Sequence, residues 1–337
     1  MHAGQRRCPS RRYAPYPGRR RHGRGAHRRP GPVLTVDDRR TVVSGMKPGR
    51  PHIGNYLGLI EPLQRLSEEG GCFAFVADTH PASTGTSTEP SATQVREAAA
   101  ALLACGLTPD RCVLYRRSAV PAVFQVAWLL ACGVGVASLP AATAENHSSV
   151  AQLTYPLMIA ADIVAVRGTH VPVGPDQAAD LEVVRRLIGE VNRRHGANLP
   201  VPTTQSARNE LLLVGSDGRK MSKSLSNAVP FLAAPDELRA ALVAMVAEDS
   251  HGHPSGVSSL RAIVAALDDR SPPASDAAEL VDLAQELIEL RFAQQRHRFC
   301  ELVSDPGAVD AVLAEGAERA SERALRVVEQ LGASLWP

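Results

Sequence analysis

Short apolar runs alternate with longer amphipathic segments from Val33 to about residue 230. The apolar runs predict buried strands: Thr41–Ser44, Cys72–Val76, Cys112–Tyr115, Val171–Val173 and Leu211–Val214. The intervening segments predict helices: Asn55–Leu66, Gln94–Cys105, Ala122–Val136, Tyr155–Val166 and Gln177–Asn192. Pro62 is expected to distort the first of these helices. The alternation predicts an α/β fold of the Rossmann type, with a parallel sheet covered by helices on both faces.

The strand pattern stops after Asn227, and three helical segments follow. They are Asp236–Ala247, Asp276–Val303 and Pro306–Gly332. The change from α/β to all-α predicts a domain boundary near residue 232, with one domain over 33–232 and a helical domain over 233–337.

The first 32 residues differ from the rest of the chain in charge and composition. They carry ten Arg, no acidic residue and almost no aliphatic side chain, so they cannot bury enough surface to fold. We interpret 1–32 as a disordered Arg-rich extension; alternatives are a nucleic-acid tether or translation from a misassigned start. The remaining residues contain 27 basic and 35 acidic side chains, which makes the folded part acidic.

Cysteine spacing and hydropathy limit the class of protein. Six cysteines lie far apart without a CxxC pair, which argues against a zinc ribbon or a disulfide framework and favours a reducing cytoplasm. The N-terminus has no apolar core typical of a secretory signal. The segment Val126–Ala144 has no charge, but it contains Gly133 and Pro140, so we interpret it as a buried helix followed by a loop.

Two short motifs carry candidate chemistry. Pro51–Asn55 (PHIGN) lies where the first predicted strand passes into the first helix, a junction that favours an anion. Lys220–Ser224 (KMSKS) follows the last predicted strand and places two ammonium groups on one loop, which suits a leaving polyphosphate. The first motif alone could be a helix start with a core histidine. The second is far more specific.

The chain resembles the class I aminoacyl-tRNA synthetases over about residues 41–332, and most closely their tryptophanyl branch. The segments that carry the resemblance are SGMKPGRPHIGNYLG (44–58), VADTH (76–80), LTYPLMIAADI (153–163), VPVGPDQ (171–177), KMSKS (220–224) and LAEGAERA (313–320).

The resemblance implies a binding site for tryptophan. Asp162 would accept the indole N–H, since a carboxylate is the natural acceptor for a group that only donates. Tyr155 and Gln177 would hold the α-amino group of tryptophan. Lys47 and His80 would lie near its carboxylate. The side-chain pocket would be walled by Val43, Val171 and Val173. Tyr155 and the valines could also be plain core residues, and the partner of Asp162 could be ligand, backbone or an arginine such as Arg167.

The resemblance also implies an ATP site built from both motifs. The nucleotide would be held by Gly45, Lys47, His52, Gly54, Asn55, Asp176 and the signature loop Lys220, Met221, Ser222, Lys223 and Ser224. The catalytic groups among these are Lys220, Lys223, His52 and Asn55. Mg²⁺ is expected to arrive with ATP, with no dedicated metal site on the protein.

Three departures from the family pattern concern phosphate handling. The turn Pro48-Gly49-Arg50 is one residue short, and Pro175 replaces a glutamate. Family members carry a segment resembling MTQFKEK after the apolar helix, and its first lysine reaches pyrophosphate. Here that stretch (142–147) contains Glu145 and Asn146 and no lysine. These changes predict slow adenylate formation with an intact amino-acid pocket.

The function implied is that of an ATP-dependent tryptophan–tRNA ligase, cytoplasmic and homodimeric, that acts on L-tryptophan, ATP and tRNA(Trp) and binds neither membrane nor DNA. The helical domain would bind the anticodon side of tRNA with arginines: Arg291, Arg296, Arg298, Arg319, Arg323 and Arg326. One alternative is an auxiliary paralog that activates tryptophan or an analogue for a non-tRNA acceptor. Another is a non-catalytic regulator that binds tryptophan or RNA, although the intact KMSKS argues against it.

Overall fold

A computed structural model describes residues 40–80, 90–139, 149–174, 177–206, 213–247, 256–268 and 276–336. Three sequence predictions fall outside the described residues: the disordered extension 1–32, the role of Asp176, and the segment that contains Glu145 and Asn146.

Five parallel strands form one sheet in the order β3-β2-β1-β4-β5. In chain order they are β1 Thr41–Met46, β2 Gly71–Val76, β3 Val113–Arg116, β4 His170–Val173 and β5 Thr203–Ser206. The predictions for the first four strands are confirmed, because each is an apolar run buried in the sheet.

The prediction of Leu211–Val214 as the last strand is wrong for Leu213 and Val214, while Leu211 and Leu212 lie outside the described residues. Among the described strands the fifth is β5, a polar stretch (TTQS) that pairs with β4 and lies at the edge of this sheet. Val214 instead forms an isolated antiparallel bridge with Lys220, at the base of a hairpin. An edge strand needs no continuous apolar run, so hydropathy gives no signal for it.

Helices connect the strands and continue to the C-terminus. They are α1 Ile53–Asn55, α2 Glu61–Leu66, α3 Ala92–Ala104, α4 Pro121–Gly133, α5 Val150–Leu153, α6 Tyr155–Val164, α7 Ala178–His195, α8 Pro235–Val246, α9 Val257–Leu267, α10 Ala277–Ser304 and α11 Pro306–Leu335. A π-helical turn, Tyr56–Ile60, joins α1 to α2 directly before Pro62. The expected distortion is confirmed, since proline cannot donate to the carbonyl one turn earlier.

The sheet separates two hydrophobic cores. Val42 belongs to the core formed with α1–α3 and α8–α10, whereas its neighbour Val43 belongs to the core formed with α4, α6, α7 and α11. The alternation follows from the period of two in a strand. Helices on both faces confirm the predicted α/β architecture.

The last helix packs back onto the sheet. α11 contacts β3 and α4, and a Cβ on Gly316 would lie 1.9 Å from the carbonyl oxygen of Leu114. Its apolar side chains therefore share a core with those of the α/β part. The boundary near residue 232 stays a prediction.

The uncharged segment that begins at Val126 lies in α4, which ends at Gly133. Among the described helices, none has the length and apolar character needed to span a bilayer.

Candidate functional site

The candidate site lies at the carboxyl edge of the sheet, where the strand order reverses. The chain proceeds from β1 to β2 and β3 on one side, and from β4 to β5 on the other. In open parallel sheets, ligands bind in the crevice at such a switch point. The PHIGN motif follows β1, and Gly174 follows β4 at the same edge.

The PHIGN motif forms a tight turn into α1. Asn55 accepts a hydrogen bond from the backbone N–H of His52 at 3.1 Å, and the N–H of Ile53 donates to Val229 at 2.8 Å. A Cβ on Gly54 would lie 3.0 Å from Nδ1 of His52, so a larger residue there would press against the ring. Within the described part of the chain, Nδ1 of His52 is buried and has no hydrogen-bond partner.

His52 is a neutral donor or acceptor at neutral pH. Burial, followed by the charges of Lys223 and Lys220, lowers the pKa of His52 to about 4. A neutral ring with a buried, unsatisfied nitrogen beside two lysines fits a polar group of a bound nucleotide.

Asn227 organises the signature loop. Its Nδ2 donates to Oδ1 of Asp217 at 2.6 Å and to the carbonyl of Lys220 at 3.2 Å, and its Oδ1 accepts from the N–H of Ser222 at 2.8 Å. Met221 is buried and anchors the loop in the core, while Lys220 is exposed. The side chain of Ser224 lies outside the described part.

Lys223 connects the two motifs. Its Nζ donates to the carbonyls of Lys47 at 2.7 Å, Pro48 at 3.3 Å and Gly49 at 2.8 Å. Gly49 has a φ of +93°, a conformation that favours glycine and turns these carbonyls toward one point. Burial lowers the pKa of Lys223 to about 8. The structure therefore brings the shortened turn and the KMSKS loop into direct contact.

All three lysines of the chain lie in these two segments: Lys47, Lys220 and Lys223. Elsewhere the chain uses arginine as its cation. Lysine is a compact charge on a flexible stem, whereas arginine is a rigid planar fork. Lysine therefore marks these two segments in the sequence as different from the rest of the chain.

Asp162 lies on α6 and is 3% exposed. Its partner is Arg117, whose Nε donates to Oδ1 at 2.9 Å and whose Nη2 donates to Oδ2 at 2.5 Å. Of the partners that the sequence left open, an arginine is the one found, but it is not the example Arg167, whose side chain donates to Gln330 at 2.8 Å. Burial raises the pKa of Asp162 to about 6, and Arg117 opposes the rise.

Two aromatic residues enclose this ion pair. The guanidinium carbon of Arg117 lies 5.1 Å from the centroid of the Phe75 ring. The same ring lies against Gly45, where a Cβ would be 2.3 Å from Cζ of Phe75. The hydroxyl of Tyr115 is buried without a hydrogen-bond partner in the described part of the chain. This corner is therefore polar and buried, and it contains one hydroxyl group that has no hydrogen-bond partner among the described residues.

The other predicted pocket residues lie on the surrounding elements. The hydroxyl of Tyr155 and Nδ1 of His80 lie 3.0 Å apart, and burial followed by the charges of Lys47 and Arg117 lowers the pKa of His80 to about 4. Val43 and Val171 are buried, and Val173 is half-buried. Gln177 is exposed and precedes α7.

Part of the arginine set proposed for RNA is used inside the protein. Arg323 donates to the carbonyl of Val166 at 2.6 Å, and Arg319 donates to that of Pro109 at 3.3 Å. These two side chains join α11 to the loops before β3 and after α6 and so do not form a free basic face, whereas Arg298 and Arg326 are exposed.

Hydropathy and motif spacing missed Arg117, Phe75 and Asn227. The adjacent arginines 116 and 117 after an apolar run were an available signal, because a charge at the carboxyl end of a parallel strand faces the crevice. Asn227 gave no local signal, since its role depends on a hairpin closed ten residues earlier.

Comparison with known proteins decides the family. The family model described as tRNA synthetases class I (W and Y) matches residues 36–256. The chain is 33% identical over 316 residues to the tryptophan–tRNA ligase of Rhodopirellula baltica, a match that covers 86% of this chain and 97% of that protein. The chain belongs to the tryptophanyl-tRNA synthetase family of class I. The resemblance read from the sequence is confirmed.

Two further comparisons agree with the synthetase family. The tryptophan–tRNA ligase of Neisseria meningitidis is 30% identical, and the match covers 86% of this chain and 95% of that protein. The crystal structure of the Campylobacter jejuni tryptophanyl-tRNA synthetase complexed with ADP and tryptophan superposes with a TM-score of 0.72 at 25% identity. That match covers 87% of this chain and 98% of the other.

Proposed function

We propose that this synthetase is a tryptophan–tRNA ligase: it activates L-tryptophan with ATP and transfers it to tRNA(Trp). The observation that carries the proposal is the contact of Lys223 with the carbonyls of the turn after β1. This contact joins the two signature motifs at the crevice of the sheet. A triphosphate bound in that crevice would contact both motifs. Family membership supplies the reaction.

The residues divide the chemistry between two subsites. Tryptophan carboxylate attacks the α-phosphorus of ATP in line, and pyrophosphate leaves; Mg²⁺ bound to the phosphates would neutralise part of its charge. The carboxylate is already ionised, so the step needs no protein base and depends on positioning and on stabilising the phosphate charge. His52, Gly54 and Asn55 hold the nucleotide, and Lys220 and Lys223 contact the leaving phosphates. The 2′-hydroxyl of the tRNA 3′ end then attacks the tryptophanyl carbonyl of the adenylate, which forms the ester, breaks the bond to phosphate and releases AMP.

The amino acid binds on the other side of the crevice. Asp162 accepts the indole N–H, Tyr155 and Gln177 hold the α-amino group, and His80 and Lys47 lie near the carboxylate. Tyr155 and His80 are both neutral and are hydrogen-bonded to each other. This bond supports a polar end of the amino-acid pocket that is formed before tryptophan binds.

Mg²⁺ is held by ATP itself in this proposal. Within the described ranges, no group of three or more His, Cys, Asp or Glu side chains is suited to a metal ion. Mg²⁺ prefers oxygen ligands. The two lysines and the neutral histidine can contact the same triphosphate without replacing the phosphate oxygens that hold the metal ion.

We propose the wider organisation that the family suggests. In this proposal residues 33–232 are the catalytic domain, residues 233–337 are the helical domain on the anticodon side of tRNA, and the enzyme is a cytoplasmic homodimer. Phe124 and Trp128, exposed by 38% and 69% and one turn apart on α4, support a pairing surface. Sedimentation of the purified protein at micromolar concentration tests the dimer.

The decisive experiment is tryptophan-dependent exchange between ATP and pyrophosphate, run beside aminoacylation of total tRNA. A tryptophan–tRNA ligase gives both activities. Exchange without aminoacylation would instead identify a paralog with another acceptor. Tryptophan binding without exchange would identify a regulator.

Asp162→Ala is expected to lower tryptophan activation by about one to two decades, because an unpaired buried group costs about 1–3 kcal/mol. The variant also leaves Arg117 buried without its counterion, so the melting temperature is expected to fall. The measurement is the rate of exchange at limiting tryptophan together with thermal unfolding.

The matched control is Asp310→Ala, which breaks an Arg–Asp pair of the same bidentate geometry at the surface. This pair is exposed by 36% and 49%, so its loss is expected to change stability by less than about 1 kcal/mol and exchange not at all. Unchanged tryptophan affinity and turnover in Asp162→Ala would exclude Asp162 as the indole acceptor.

A further inference from the structure

Arg117 lies in the 3₁₀ turn Arg117–Ala119, which connects β3 to α4. Its side chain is 3% exposed and reaches residues of α6, of β2 and of the turn after β2. Besides the two bonds to Asp162, Nη1 lies 3.3 Å from Oγ1 of Thr79 and the guanidinium lies over the ring of Phe75. Arg117 is therefore held by β2 and β3 while it holds a residue of α6.

We propose that Arg117 is a positioning residue for tryptophan selection: it fixes both oxygens of Asp162 so that their remaining lone pairs accept the substrate's indole N–H. This inference rests on the proposed function, since it takes Asp162 as the indole acceptor. It assigns to Arg117 a role in specificity rather than direct contact with the reacting atoms.

The geometry of the pair leaves room for a further hydrogen bond. An ionised carboxylate offers about four acceptor sites, and the arginine fork uses two of them. A carboxylate held at both oxygens cannot rotate about its terminal bond, so the two sites that remain keep one direction. A single cation at one oxygen would leave that rotation open.

The charge of Arg117 also keeps Asp162 ionised. Burial raises the pKa of Asp162 to about 6 even with Arg117 beside it, so loss of the guanidinium would raise it further. The protonated acid would present a donor O–H at one oxygen, and a donor cannot pair with an indole N–H.

The other titratable groups around Asp162 come from the elements packed against it. They are His80 after β2, Tyr115 on β3 and Tyr155 on the same helix, with Asp180 of α7 acting on Tyr155. Burial lowers the pKa of His80 to about 4 and raises the pKa of both tyrosines. These three rings stay neutral from about pH 5 to pH 9, so an acidic limb of tryptophan binding near pH 6 belongs to Asp162.

The experiment compares two replacements of Arg117 in the full chain. Arg117→Lys keeps the positive charge, Arg117→Gln removes it, and both lose the bidentate fork. The dissociation constant for tryptophan (by calorimetry) and its KM and kcat in pyrophosphate exchange are measured from pH 5 to pH 9. Arg96→Gln is the matched control, because Arg96 forms the exposed bidentate pair with Asp310.

The wild type and Arg96→Gln are expected to lose tryptophan affinity below about pH 6. In Arg117→Gln the midpoint is expected to move up by about 1–3 pH units, which raises KM about tenfold at pH 7 for a shift of about two units. Its kcat at saturating tryptophan is expected to change little. In Arg117→Lys the midpoint stays near that of the wild type while KM rises at every pH.

Three results overturn the inference. Tighter tryptophan binding in either Arg117 variant would mean that the guanidinium blocks the acceptor. An affinity loss in Arg117→Gln with no shift of the midpoint would mean a structural role alone. A midpoint equally shifted in Arg117→Lys and Arg117→Gln would mean that charge is not the cause.

Folding and function are separated by two further measurements. If Arg117→Gln does not fold, the neutral pair Arg117→Gln/Asp162→Asn replaces it; this double variant is expected to show no acidic limb, and a limb that persists overturns the inference. A wild type that binds tryptophan without exchange rejects the proposed reaction, and the calorimetric profile then still decides the role of Arg117. A wild type that does not bind tryptophan rejects both.

Discussion

Replacing Lys223 by alanine is expected to slow formation of tryptophanyl-adenylate by about 10²–10³-fold, the effect of removing one donor that stabilises transition-state charge. The KM for tryptophan is expected to stay nearly constant, because the amino-acid pocket is built from other segments. Lys223 Nζ is bound by three carbonyls of the turn after β1, and it must exchange these for phosphate oxygens as the leaving charge develops. The measurement is single-turnover adenylate formation at saturating tryptophan.

The same residue predicts a distinctive pH profile. Burial lowers the pKa of Lys223 to about 8, so its ammonium is charged below that pH and lost above it. The kcat/KM for ATP reports the free enzyme and is expected to fall above about pH 8, whereas kcat reports the complex, in which phosphate charge favours the ammonium. Lys223→Arg is expected to abolish the alkaline fall, since a guanidinium stays protonated.

Arg219→Ala is the matched control, because Arg219 is a cation of the same hairpin that pairs with Asp217. Its loss is expected to change the adenylation rate by less than about tenfold. If Lys223→Ala lowers the adenylation rate by no more than Arg219→Ala does, Lys223 stabilises the turn through its carbonyl contacts and does not stabilise the phosphate charge.

Introducing a lysine by Asn146→Lys is expected to accelerate adenylate formation, by up to about 10²–10³-fold if it supplies one full transition-state donor. The resemblance places a pyrophosphate-binding lysine at this point of the chain, and the sequence has Glu145 and Asn146 instead. Combining it with Glu145→Gln removes a charge of the wrong sign. Tryptophan affinity is expected to stay nearly constant. The measurement is the exchange rate at saturating tryptophan and ATP.

Asn146→Gln is the control that adds length without charge, and it is expected to leave the rate unchanged. A wild type that already activates tryptophan at about 10 s⁻¹, the median for enzymes, would show that another cation serves the pyrophosphate. Absence of exchange even with the lysine restored would favour the regulator over the ligase.

The sequence predicted four of the five strands and the position of the site. The strands β1 to β4 are apolar because a parallel sheet is covered on both faces. Each strand is therefore recognisable as a continuous run of apolar residues. β5 was missed because an edge strand with one neighbour tolerates polar side chains. The distortion before Pro62 was predictable, since the missing N–H is a property of the residue itself.

The same division holds within the candidate site. Motif chemistry selected His52, Asn55 and the KMSKS lysines, and the fold brings them to the carboxyl edge of the sheet. Local pattern could not select the partner of Asp162: it left ligand, backbone and a nearby arginine such as Arg167 open, whereas Arg117, 45 residues away, forms the pair. Two side chains on different elements meet only through the packing of those elements.

By itself, therefore, the sequence determined four of the five described strands, the approximate bounds of most of the helices between them and which two motifs are candidates for phosphate chemistry, because each depends on a few neighbouring residues. Only the tertiary structure decided that Arg117 enters the amino-acid corner with Asp162 and that Lys223 rests on carbonyls 174 to 176 residues away. These contacts depend on the order of the strands and on α6 packing behind them. That order is set by the burial of both faces of the sheet at once, which no local segment specifies.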